Sequence, residues 1–511
     1  MELIMRFLAF MLILTVLASC SDSPGTKVLP NRVDSQITQK SNWVPGEYLP
    51  SENFANKCES PRLNTDYQDL IGTYEDENNW IRSWSHETYL WYNELPDIDP
   101  SSIQDAKEYF NQIKTSATTN SGEPKDQFHY TQNTEEYIQY AQSGVTSGYG
   151  FNYILTQSTP PRKAKIIYSQ INSPASIKEI RRGAEIISID GEALIDGDAD
   201  IINAGLKPSN PGETHTFVIK DLTSTTTRTV DLVSIAFTEN PIHTNGIIKR
   251  ANIKIGYIVL NTFATASAER QLVETIYLLK QNQIDELIID LRYNGGGYLD
   301  ISAALGSMIA GIDASYQTYT ELSFNDKRHV QNKFIPFPST TYGIAKSYPG
   351  GMPLPTLDLS RVYIISSNNT ASASESLING LRGIDFEVIL IGSSTRGKPY
   401  GWLPKDNCGI TYSTIQFKST NAKGFGDYAD GFMPSIEKND NDQVQGCEVY
   451  ENLKHLLGDE NEKMLATAIY HIENDSCPNN LSQARAKPRG QLENIYGEIR
   501  RNHPNLGHIL Q

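Results

Sequence analysis

Four short apolar runs, at residues 255–260, 287–291, 362–366 and 387–391, constrain the fold of this chain more than any other feature. Each is shorter than a typical core helix. None alternates regularly with polar residues, so each reads as a strand covered on both faces. An amphipathic stretch at 268–281 separates the first two runs. Further helices are expected up to residue 309 and over 374–382. This alternation of strand and helix predicts a largely parallel sheet with covering helices.

That α/β texture begins near residue 237, and 511 residues are too many for one core. Residues 61–144 read as a helical region, because Trp80, Ile81, Trp84, Tyr89, Leu90 and Trp91 recur at roughly helical intervals. Residues 145–236 read as a small β domain with strands near 165–168, 185–189, 214–220 and 227–233. Ser147-Gly148-Tyr149-Gly150-Phe151 opens it, and an Asp190-Gly191 turn follows its third strand. The segment resembles a PDZ domain, in which a peptide adds as an extra strand and loop amides grip its terminal carboxylate. On that resemblance Gly150 and Phe151 are the peptide-binding residues.

The first residues have a different purpose. Arg6 precedes an apolar run at 7–17 that is too short to span a bilayer and fits a signal sequence. It ends in Leu17-Ala18-Ser19-Cys20, which resembles a lipoprotein cleavage site, with Cys20 as the lipidated residue. Residues 1–19 are therefore expected to be a signal peptide and 20–60 a flexible tether rich in Ser, Asn, Gln and Pro. Such a protein would be lipid-anchored in the bacterial cell envelope, periplasmic or at the outer surface. The α/β region is bounded at 237–475, and 476–511 form a C-terminal tail with a short helix expected near 491–500.

Five cysteines leave Cys58, Cys408, Cys447 and Cys477 once Cys20 is set aside. Four cysteines in an exported chain allow two disulfides in three connectivities. No metal-binding spacing is present. The net charge of -16 disfavours a nucleic-acid partner.

The chemistry lies in three segments. Thr370-Ala371-Ser372-Ala373-Ser374-Glu375 stands between an apolar run and a helix. Lys398 follows the next strand in a Gly397-Lys398 pair, 26 residues after Ser372. Upstream lies Asp290-Leu291-Arg292-Tyr293-Asn294-Gly295-Gly296-Gly297. A serine hydroxyl needs a base, and lysine is an established alternative to histidine. The lysine must be neutral, so its pKa of about 10.4 must fall by roughly three units. Burial does this, so Lys398 is expected to be inaccessible to solvent. The Gly297 and Ala373 amides are candidates for a two-donor oxyanion hole. Asp290 and Arg292 are expected to brace the glycine turn.

These segments, together with Ser147–Phe151, Arg396–Lys398 and Gly431-Phe432-Met433-Pro434-Ser435-Ile436, resemble the carboxy-terminal processing, or tail-specific, serine proteases. The resemblance implies a multidomain α+β and α/β chain. It would have an N-terminal helical region, a PDZ-like β domain and a Clp-protease/crotonase-like catalytic domain. It implies Ser372 as nucleophile, rather than Ser374, with Lys398 as base. Polypeptides with exposed C-termini would be the substrates, and no cofactor would be needed. The chain departs from the family in two respects, the first being a Ser372-to-Lys398 spacing one residue longer than in other members. Many members carry a Gln four residues after the lysine, and here that position is Trp402. Thr411, Tyr412 and Gln416 are candidates to orient the amine instead. Trp402 also leaves a second reading open, that of a catalytically weak or inactive envelope lipoprotein binding peptides through its PDZ domain.

Overall fold

The computed structural model describes residues 43–63, 66–437 and 440–479. The signal sequence, Cys20 and the expected helix near 491–500 lie outside the described residues.

A seven-stranded sheet forms the centre. Its order is Ile242–Lys249, Lys254–Leu260, Glu286–Asp290, Arg361–Ser366, Glu387–Gly392, Gln443–Glu448 and Met433–Ser435. Only the first pair is antiparallel. The four apolar runs are the second to fifth strands of this sheet, as expected. Their continuity has a direct cause. Ile258, Ile289, Ile364 and Leu390 face one core, while Tyr257, Ile288, Ile365 and Ile391 face another. With both faces covered, no polar alternation is needed.

Nine α-helices are described, in chain order: α1 (Tyr74–Thr88), α2 (Ala106–Gln112), α3 (Thr134–Ser143), α4 (Pro174–Ile177), α5 (Ala199–Leu206), α6 (Ser267–Gln281), α7 (Leu299–Ala310), α8 (Ala373–Gly383) and α9 (Lys463–Asn474). Helices α6, α7 and α8 cover the first core through Leu272, Leu305 and Leu377. Helix α9 covers the second through Met464, Leu465 and Ile469.

The PDZ-like segment has its own core around Ile166, Ile189 and Phe217. Its strands run in the order Arg228–Val233, Thr214–Lys220, Glu185–Ile189, Ala164–Ser169 and Phe151–Leu155, all antiparallel. The last of these, which begins at Phe151, lies at the edge of that sheet.

The N-terminal region is less purely helical than its aromatic spacing predicts. Strand Tyr130–Asn133 pairs with Ile410–Ser413 of the α/β region. Trp80 and Trp84 stack at 5.1 Å, and Trp80 meets Tyr412 at 5.2 Å. The two regions therefore share a sheet and a core.

The described part of the expected tether, residues 43–60, is packed rather than flexible. Ser51 donates its amide to Glu87 at 2.8 Å, and Arg82 donates to the Glu47 carbonyl at 2.8 Å. Cys58 is disulfide-bonded to Cys408, and Cys447 to Cys477, which resolves the connectivity left open by the sequence.

Candidate active site

Strand Arg361–Ser366 ends in a tight turn from which α8 starts. Ser372 is its N-cap, with φ 65° and ψ -118°. For a residue with a Cβ this conformation costs about 1–3 kcal/mol and persists only where its surroundings enforce it. The enforcing bonds are clear. Ala371 donates its amide to the Asn294 carbonyl at 3.1 Å, and the Ser374 hydroxyl donates to the same oxygen at 3.0 Å. The Thr370 hydroxyl donates to the Leu291 carbonyl at 2.8 Å. The serine turn is thus bolted to the glycine turn.

The glycine turn is itself held by Asn294. Its side-chain amide donates to the Leu260 carbonyl at 3.0 Å and its oxygen accepts the Gly296 amide at 2.9 Å. Gly296, with φ 110°, lies directly against the serine. A Cβ there would stand 2.6 Å from the Ser372 Cβ and 3.0 Å from the Ala373 amide nitrogen. Gly297, with φ 139°, instead packs against the backbone of Phe263 and Ala264. Only glycine fits either position. The turn and the helix start therefore stand side by side, with Gly296 as the contact and Gly297 next to it.

Asp290 and Arg292 do brace this loop. Arg292 is buried and pairs with Asp290 at 2.7 Å and Glu462 at 2.8 Å, and Tyr257 donates to Asp290 at 2.9 Å. Glu451 joins Arg292 to Arg182 of the PDZ-like segment.

Glu375, in the first turn of α8, joins the serine to the lysine. One carboxylate oxygen accepts the Ser372 amide at 2.9 Å and the Lys398 amide at 2.8 Å. Those two nitrogens are therefore within about 5.7 Å of each other. The other oxygen accepts the Gly397 amide and the Thr395 hydroxyl, both at 2.6 Å. Burial pushes the Glu375 carboxyl up, and these four donors oppose the shift.

Lys398 is fully buried, as expected, at 0% exposure. Its Nζ lies 3.2 Å from the centre of the Trp402 ring and 4.8 Å from that of Phe128. Burial drives its pKa well below the ordinary lysine value, Asp126 and Glu375 pull it back up, and Arg396 adds to the depression. The Ser372 hydroxyl is also buried, and its oxygen makes no hydrogen bond. The backbones of the two residues are thus brought together without a bond between hydroxyl and amine.

The candidates to orient Lys398 are engaged elsewhere. The Thr411 hydroxyl bonds that of Thr134, and Gln416 bonds Arg328 and the Leu403 carbonyl. Tyr412 points into the aromatic core of α1 and α2. Of the residues around the lysine, Trp402 was singled out in the sequence, and two others were missed. Phe128 and Asp126 come from the N-terminal region, far upstream, where no motif marks them. Glu375 was visible in the serine motif, but its bridging role was not.

The PDZ-like loop includes Gly150 and Phe151. Gly150 has φ 79°, and a Cβ there would stand 2.1 Å from that of Ser173. Phe151 begins the edge strand.

The fold thus defines a multidomain α/β protein in which a β domain and a helical region adjoin a parallel sheet carrying a serine turn. Residues 254–422 match Peptidase family S41, and residues 76–129 match the Peptidase S41 N-terminal domain. Over these two stretches the chain is similar to peptidase family S41. It is 26% identical over 268 residues to the carboxyl-terminal-processing protease of Picosynechococcus sp., across 51% of this chain and 56% of that protein. It is 27% identical over 228 residues to carboxy-terminal processing protease CtpB of Bacillus subtilis, across 44% of this chain and 42% of that protein. The chain spans about half the length of the curated relatives it matches. Among solved structures, an S41 protease homologue from Bacteroides fragilis shares the fold. Its TM-score is 0.60 at 24% identity, covering 81% of this chain and 100% of that one.

Proposed function

We propose that this protein is a serine endopeptidase of the bacterial cell envelope that cleaves polypeptides near exposed C-termini. The observation that carries the reading is the buried Glu375 carboxylate, which holds the amides of Ser372 and Lys398 on one oxygen beside a fully buried amine.

In this reading a substrate tail adds to the free edge of strand Phe151–Leu155, with its carboxylate on the Gly150 and Phe151 amides. The upstream chain reaches Ser372. Rotation of the Ser372 side chain brings its hydroxyl onto neutral Lys398, which takes the proton as Oγ attacks the carbonyl. The Gly297 and Ala373 amides receive the oxyanion, each such donor being worth about 3–4 kcal/mol of barrier. Lys398 passes its proton to the leaving amine, and water then hydrolyses the acyl-enzyme. Cleavage at Leu17-Ala18-Ser19-Cys20 would leave Cys20 as a lipid anchor to the membrane.

The test is cleavage of an unfolded polypeptide by wild type, Ser372→Ala and Lys398→Ala. Loss in both variants is expected. Equal rates in all three would end the reading, and a fluorophosphonate probe would then separate a pure peptide binder, which does not label.

A further inference from the structure

The proposed chemistry creates a charge where the protein has excluded water. When Lys398 accepts the Ser372 proton, an ammonium forms at a site with 0% exposure. A buried cation needs an anion nearby, because water cannot solvate it. Two carboxylates act on Lys398, those of Asp126 and Glu375, and one further charge, on Arg396, opposes them.

Glu375 is already committed. A carboxylate has about four acceptor sites. Those of Glu375 receive Ser372, Lys398, Gly397 and Thr395, so its negative charge is spread over the backbone that shapes the site.

Asp126 differs. It is buried, and its oxygens accept one hydroxyl, from Tyr89 at 2.7 Å, and one amide, from Phe128 at 2.9 Å. His129 Nδ1 stands 3.6 Å from one of these oxygens and meets the Thr414 hydroxyl at 3.1 Å. The other His129 nitrogen, Nε2, lies 2.8 Å from the Phe110 carbonyl, which can only accept, so that nitrogen carries a proton. The amide bond from Phe128 fixes the residue whose ring lies 4.8 Å from the lysine nitrogen. Tyr89, Phe128, Trp402 and Ile415 form one apolar cluster, so this carboxylate is built into the wall of the lysine pocket.

We propose that Asp126 is the positioning residue of Lys398: its buried carboxylate balances the ammonium formed during catalysis and, through Phe128, fixes the wall against which the amine lies. The inference rests on the Ser372–Lys398 reading. It assigns to the N-terminal region a part in the chemistry, in a chain where the position four residues after the lysine is Trp402.

The sign of its effect can be tested. Asp126→Asn removes the anion, so Lys398 loses its proton more easily but becomes a weaker base. The acidic limb of kcat/KM should move down by about one pH unit or more. The plateau kcat should fall about 10- to 100-fold, with KM within about threefold. Tyr89→Phe removes the hydroxyl that shares the carboxylate's charge, so it should move the limb upward. Opposite shifts are a signature that loss of packing does not produce. Both variants would be compared with wild type in the full chain, with fluorophosphonate labelling rate against pH as a readout independent of substrate binding.

An unmoved limb in Asp126→Asn, whatever its activity or stability, overturns the proposal. If Asp126→Asn does not fold, Tyr89→Phe decides alone, and an unmoved limb there overturns it equally. If wild type itself labels no faster than Ser372→Ala, the Ser372–Lys398 reading falls and takes this one with it. A labelled wild type with unmoved variants removes only the role of Asp126.

Discussion

The amine of Lys398 lies 3.2 Å from the centre of the Trp402 ring. An aromatic face excludes water from the amine on one side, while its electron-rich surface attracts the charged form. The pocket therefore lowers the lysine pKa by burial and retains some affinity for the ammonium.

Trp402→Ala opens this pocket to water. Burial is the leading cause of the depressed Lys398 pKa, so the pKa should rise towards the ordinary lysine value. The acidic limb of kcat/KM moves to higher pH, and activity near neutrality falls at least tenfold. A pH–rate profile of the variant checks this.

Stability carries the same signature. Lys398 is lowered in the folded state, so between its folded and unfolded pKa values the unfolded chain binds more protons. The contribution of Lys398 to stability then rises with pH across that window. Lys398→Met removes the penalty. It should be inactive yet more stable than wild type near pH 7, by about 1–4 kcal/mol. The gain should shrink as pH approaches the ordinary lysine value, which urea unfolding at several pH values would read.

Glu375→Gln keeps the shape of the bridge but converts two acceptor positions into donors facing donors. It leaves buried amides without partners at about 1–3 kcal/mol each. Thermal unfolding should fall by several degrees, and kcat should drop more than KM rises, because the serine and lysine backbones lose their common anchor.

The Cys58–Cys408 disulfide joins residues 350 positions apart. Cys58→Ser with Cys408→Ser should cost about 2–4 kcal/mol in denaturant unfolding. It should release residues 43–60 to limited proteolysis while leaving the central sheet intact.

The central sheet was legible because strands buried on both faces read as unbroken apolar runs, and their helices are amphipathic. The serine turn, the glycine turn and the burial of Lys398 were legible because short motifs encode them. Residues 43–60 were not. Their polar composition reads as a tether, and what orders them is distant: Cys408, Glu87 and Arg82. Thr411, Tyr412 and Gln416 looked available for the lysine, since a strand's neighbours cannot be read from its own residues. In the fold they meet Thr134, Trp80 and Arg328. Asp126 and Phe128 reach the site only because strand Tyr130–Asn133, just after them, pairs with Ile410–Ser413. Such a long-range pairing leaves no local mark.

In the proposed reading a water-free, uncharged amine activates Ser372. The most direct measurement is the rate at which a fluorophosphonate labels Ser372 in wild type and in Lys398→Ala across pH 5 to about pH 10. Labelling of wild type should rise through a midpoint well below the ordinary lysine pKa, with almost none in the variant. Labelling of Lys398→Ala at the wild-type rate and with the same pH dependence would contradict that reading.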